Sequence, residues 1–257
     1  MAVAAVVVDL DDTVFPQAAY LRGAAAAVGR AAAAAGLDGG AVTRALTAEL
    51  RAGSDRGGTI DRALAACGGP PDLVPALVDA FVAFRPRRLA PYPGAAAALA
   101  ALAARYPLAC LTDGDPRIQR AKLAATGVAG VFRAVVVTDE LPGGRAARKP
   151  DPAGLRYAAH LLGVAPGDVV VVGDRPGKDV AAAVAVGARS IRVRTGEYAH
   201  LPDDPPATAV AADLAAAAAL LLGGGLGGRS GWSWCGPGAG GASGTRPASG
   251  RWCAGWL

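Results

Sequence analysis

Four aspartates stand where carboxylates could work together. Asp9 and Asp11 lie in Val6-Val7-Val8-Asp9-Leu10-Asp11-Asp12-Thr13, and Asp174 and Asp179 in Gly173-Asp174-Arg175-Pro176-Gly177-Lys178-Asp179. Residues i and i+2 of an extended segment point the same way, so Asp9 and Asp11 can share one crevice. A polar loop after a buried strand, with Asp12 or Thr13 capping the next helix, explains one acid. It explains an Asp-x-Asp-x-Thr pattern less well, because neighbouring carboxylates repel unless a cation or a proton separates them. Asp179 alone would fit the first turn of a helix, where the dipole favours an acid; Asp174 does not fit that reading. Taken together, the four offer an all-oxygen set of the kind that suits Mg²⁺. Thr112, in Thr112-Asp113-Gly114, adds a hydroxyl, and the N–H groups of Asp113 and Gly114 could cradle an anion. Lys149, ahead of Pro150-Asp151-Pro152, is one of 3 lysines beside 23 arginines. Keeping a lysine there points to a role for a compact point charge.

These residues must be held by something, and the chain alternates strand with helix. Apolar runs at 2–8, 107–111, 134–137, 169–172 and 189–193 each end in polar residues. Continuous apolar strands imply burial on both faces and hence a parallel sheet. Helical stretches are predicted at about 94–105, 116–126, 152–162, 178–186 and 208–222, with Pro93, Pro116 and Pro152 near starts and Gly127, Gly163 and Gly187 after ends. This is the pattern of a doubly wound α/β fold, whose ligand sites lie at the carboxyl ends of the strands. Residues 17–88 interrupt the rhythm and read as a small helical domain inserted after the first strand. Core residues are then 1–16 and 89–222.

The 257 residues include 64 Ala and 36 Gly, and the formal net charge is +5. Residues 223–257 carry Arg229, Arg246 and Arg251 with no acid, all four Trp and no helical or strand period. That low-complexity tail reads as disordered and dispensable. It accounts for +3 of the charge, leaving +2 on residues 1–222, so a nucleic-acid partner is not expected. Four cysteines without a Cys-x-x-Cys pair argue against zinc or a disulfide framework. No secretory signal or membrane span is legible, and the default placement is cytoplasmic.

The chain resembles the haloacid dehalogenase-like hydrolase superfamily, over roughly residues 3–200. Four motifs occur in order: Asp-Leu-Asp-Asp-Thr at 9–13, Thr112 at a strand end, Lys149 in Lys-Pro-Asp-Pro, and Gly-Asp-Arg-Pro-Gly-Lys-Asp at 173–179. The resemblance implies a strand order 5-4-1-2-3 and a helical cap of the kind found in phosphatase-like members. It implies that Asp9 is the nucleophile forming an aspartyl-phosphate and that Asp11 is the general acid and base. Mg²⁺ would be held by the Asp9 carboxylate, the Asp11 backbone carbonyl, Asp174 and Asp179. Thr112, Asp113 and Lys149 would bind the phosphoryl group. The partner would be a small phosphorylated metabolite. Dehalogenating members lack the second Asp, so Asp11 disfavours that chemistry. A phosphomutase of the β-phosphoglucomutase type is the alternative; an inactive module of this fold or a receiver domain is less well supported. The insert is hardly readable. Arg51, Ser54, Asp55 and Arg56, or Arg85, Arg87 and Arg88, could face a substrate, although a solvated edge is the simpler reading. Arg175 and Lys178 are read as local charge compensation.

Overall fold

The computed structural model describes residues 3–225. Six parallel strands form one sheet: β1 (Ala5–Val8), β2 (Leu108–Thr112), β3 (Ala134–Val137), β4 (Val169–Gly173), β5 (Arg189–Val193) and β6 (Ala209–Ala211). Their spatial order is β3-β2-β1-β4-β5-β6. The first five strands follow the order the resemblance implied, and β6 extends it at the β5 edge. β1 lies at the centre, paired with β2 through Val6↔Leu108 and with β4 through Ala5↔Val169.

The alternation of β1 divides two cores. Val6 and Val8 face one cluster and Ala5 and Val7 the other, and all four are fully buried. This double burial is why the strand is an unbroken apolar run. On the first face lie α5 (Ala95–Ala103), α6 (Pro116–Thr126) and α9 (Leu214–Leu222). On the second lie α7 (Ala153–Leu162) and α8 (Ala181–Ala185).

Between β1 and α5 come α1 (Gln17–Ala34), α2 (Gly39–Arg51), α3 (Thr59–Ala66) and α4 (Val74–Ala83). They enclose a core of their own, with Val28, Val42, Leu46, Leu64 and Leu77. Asp38 caps α2 by accepting from Ala41 N at 2.9 Å. Residues 3–225 form part of one compact unit. Among the described residues no helix is long and apolar enough to cross a membrane. Cys110 is buried within β2, as a small core residue would be.

Two local expectations need correction. A helix over 208–222 is in fact strand β6 followed by α9. Asp213 accepts from Ala216 N at 2.8 Å and starts the helix afresh there, so the alanine-rich pattern merged two elements. A helix over 178–186 is a π-type turn, Pro176–Val180, running into the short α8. Beyond Gly225, the tail lies outside the described residues.

Candidate active site

The strand ends bring the motif residues together. Asp9 follows β1 and donates its N–H to Val172 O of β4 at 2.9 Å, which ties the first motif to the fourth. Asp9, Asp174 and Asp179 are buried, with carboxylate oxygens within 4.8 Å of one another. Asp179 comes within reach because the π-type turn folds back on β4: Arg175 N donates to its Oδ2 at 3.0 Å. The approach needs a glycine at 173, since a Cβ there would collide with the Asp179 carboxyl group.

Lys149 Nζ donates to Asp9 Oδ1 at 2.5 Å, Asp179 Oδ1 at 2.7 Å and Leu111 O at 3.2 Å. The three donors of the ammonium are thereby satisfied. Lys149 is reached through an arginine-rich stretch, 141–148, that folds as a short 3₁₀ turn, Gly144–Ala147. Arg148 locks its end with paired bonds to Asp139 of 2.6 and 2.5 Å. Asp113 collects Lys149 N at 3.1 Å, the Thr138 hydroxyl at 3.1 Å and Lys178 Nζ at 3.3 Å.

Asp11 is held apart from this cluster. Lys122 Nζ lies 2.9 and 2.8 Å from its two oxygens, and Gln119 Nε2 donates to Oδ2 at 2.8 Å. Gln119 also donates to the Thr112 hydroxyl, leaving that hydroxyl's own proton free. Sequence reasoning passed over Gln119 and Lys122. Their i, i+3 spacing on α6 and the scarcity of lysine were the available signals. Asp12 is not the N-cap of α1, a place taken by Pro16, but it accepts from Gln17 N at 2.8 Å in the first turn and from Glu197 N at 3.1 Å.

Electrostatics follow from crowding. Burial pushes Asp9 up to about 7, with Asp179 and Asp11 adding to the rise and Lys149 opposing it. Asp174 is raised well above the carboxylate range by burial and by Asp179 and Asp9. Burial works against the Lys149 charge, but Asp179, Asp9 and Asp113 overcome it and hold the ammonium well above its usual value. Asp113 is kept low, despite burial, by Lys149 and Lys178. The buried carboxylates Asp9, Asp174 and Asp179 thus share one ammonium, and hard oxygen donors short of positive charge fit a divalent cation.

The site opens on a cavity of about 350 Å³ between the strand ends and the insert. From the insert, Ser54 and Asp55 line it; from the core, Arg145, Arg148, Arg175 and Tyr198. Ser54 Oγ donates to Glu197 Oε2 at 2.8 Å, and Arg175 Nη2 meets Asp55 Oδ2 at 2.6 Å. Tyr198 OH donates to Asp55 Oδ1 at 3.1 Å, with the Arg175 guanidinium 3.9 Å above its ring. Arg175 therefore pairs across to the insert rather than balancing its own loop. Arg56, Arg85, Arg87 and Arg88 do not line the cavity.

With this fold and these strand-end acids, the class is a hydrolase of the haloacid dehalogenase-like kind. The chain belongs to the haloacid dehalogenase-like hydrolase family, whose match spans residues 3–187. It is 41% identical over 159 residues to a phosphoserine phosphatase of Thermus thermophilus, a match covering 61% of this chain and 60% of that one. It is 33% identical over 202 residues to a glyceraldehyde 3-phosphate phosphatase of Methanopyrus kandleri, covering 76% and 85% respectively. Among solved structures, a predicted phosphoglycolate phosphatase from Haemophilus somnus 129pt shares the fold with a TM-score of 0.62 at 20% identity, covering 84% of this chain and 96% of that one.

Proposed function

We propose that the chain is a phosphatase that hydrolyses a small phosphate monoester through a phosphorylated Asp9. The observation that carries this reading is the separation of two carboxylates only two residues apart. Asp9 lies on Lys149 among the buried acids, and Asp11 lies on Lys122 and Gln119. One reaction needs both: a nucleophile, and a group that gives and takes a proton.

In the first half, an Asp9 oxygen attacks phosphorus, the bond to the ester oxygen breaks, and Asp11 gives its proton to the departing oxygen. In the second, water attacks the phosphoryl group and yields a proton to Asp11. The acyl-phosphate bond breaks, releasing phosphate and restoring Asp9. Lys149 holds Asp9 and places positive charge beside the phosphoryl site, and the free proton of Thr112 can be donated to a phosphoryl oxygen. Asp9, Asp174 and Asp179, with the Asp11 carbonyl, would hold Mg²⁺. Bound there, the ion supplies charge that offsets repulsion between the carboxylate and an incoming phosphate. The insert acts as a cap over the cavity, whose volume suits a small ester. The phosphatase relatives support the substrate class.

Turnover of p-nitrophenyl phosphate with Mg²⁺ tests the reading. Asp9→Asn should lower it about 10³-fold or more, as loss of a nucleophile does. Full activity in that variant would remove Asp9 from the role.

A further inference from the structure

Lys122 and Gln119 make the most specific contacts in the site that the reaction above leaves unused. Both are buried, 4% and 2% exposed, on one face of α6. The lysine reaches both oxygens of a single carboxylate, and the glutamine ties that carboxylate to Thr112. The Lys122 ammonium also lies 4.8 Å from the centre of the Tyr20 ring. Tyr20 belongs to α1 and is 1% exposed. Its ring is wedged against Phe81 and Phe84, at 6.2 and 5.4 Å between centroids. The lysine is therefore walled in by the insert and anchored in the core. Composition adds an independent point. A chain with 23 arginines has only 3 lysines, and each of them bonds to an aspartate of the site. An ammonium is a compact donor that can serve both oxygens of one carboxylate within a narrow space; a planar guanidinium demands a wider slot.

We propose that Lys122 and Gln119 are positioning residues for Asp11, fixing its carboxyl group where it meets the ester oxygen as the phosphorus–oxygen bond breaks. The inference rests on the reading of Asp9 and Asp11 given above. The proton that moves belongs to Asp11, passes to the leaving oxygen, and is replaced from water in the second half. Loss of the brace therefore matters most for esters whose leaving group cannot depart unprotonated.

The test is the leaving-group dependence of kcat/KM, which covers the steps up to departure of the alcohol. A series of aryl phosphates from p-nitrophenyl to phenyl to p-methoxyphenyl is measured with the wild type, Lys122→Met and Gln119→Met. Methionine matches glutamine in length, falls one atom short of lysine, and removes the donors of both. The expected result is a loss of about 10² on phenyl phosphate, the low end of what a general acid contributes. On p-nitrophenyl phosphate the loss should be much smaller, giving a steeper slope across the series. Turnover of the nitrophenyl ester reports folding, and Gln119→Met gives the same reading if Lys122→Met does not fold. A uniform loss across the series, or an unchanged slope in both variants, overturns the positioning role. Failure of the wild type to hydrolyse any member overturns instead the phosphatase reading on which it rests.

Discussion

Asp9 and Asp11 illustrate how two identical side chains acquire different work from their surroundings. Asp9 sits in a buried group of acids, and burial alone would keep it protonated near neutrality. Lys149 favours its charged form, and a bound divalent cation would do so further. Asp11 faces an ammonium and an amide instead. The sequence disclosed both acids through their spacing, because a strand's period of two dictates which residues share a side. It could not disclose their partners. Gln119 and Lys122 stand more than a hundred residues away and meet Asp11 only because β1 and β2 are neighbours in the sheet. Lys149 was legible as a scarce residue before a proline, and Asp113 as part of a turn. What was illegible was that Asp113 would bind two lysines.

At the scale of elements, β5 shows how a polar residue is tolerated inside a sheet. Arg192 is fully buried, yet it donates to Leu201 O at 2.8 Å, to Tyr198 O at 2.9 Å and to Asp174 O at 3.3 Å, and it pairs with Asp203. This clamp anchors the loop after β5, which carries Glu197 and Tyr198, to the strand end that carries Asp174. Arg192 and Arg194 hold the Asp203 carboxyl below its usual value despite some burial. A group depressed in the folded state contributes stability above its unfolded value of about 3.9, and that contribution fades as pH falls through the folded value. Asp203→Asn should therefore lower stability modestly at pH 7, by about 0.2–1 kcal/mol, because solvent screens this partly exposed carboxylate. The difference from wild type should shrink below about pH 4, as followed by urea unfolding at each pH. This clamp was not legible in the sequence, since 189–193 reads there only as another buried strand and most partners of Arg192 come from the loop that follows it. β6 escaped for the opposite reason. Three residues with two alanines resemble the helix that follows, and only Asp213, as a cap, marks the boundary.

At the scale of the whole molecule, the insert and the core meet over the cavity through a few polar contacts. Ser54 and Asp55 extend from the segment between α2 and α3 to Glu197, Arg175 and Tyr198. The Asp55–Arg175 pair is partly exposed, with side chains 45% and 24% accessible. Such pairs contribute little to stability, about 0.2–1 kcal/mol. Asp55→Ala should leave the melting temperature nearly unchanged but raise KM about two- to fivefold, because the same contacts hold the cap over the substrate. A large fall in melting temperature with KM unchanged would make the contact structural only. The architecture was readable because each strand end carried polar residues after an apolar run, and because the long helical stretch had nowhere to pack within the strand–helix alternation. The meeting of cap and core was not readable, since glycine-broken segments such as 53–58 have no period from which to infer a direction.

The gathering of every lysine at one place has a consequence for chemical labelling. Apart from a terminal amine, reagents that acylate primary amines find only Lys122, Lys149 and Lys178 on this chain. Their side chains are 6%, 4% and 24% accessible. Limited acetylation should therefore act as a probe of the site alone, modifying Lys178 first. Inorganic phosphate with Mg²⁺ should slow that modification, read as the mass added per chain. The 23 arginines are invisible to such reagents.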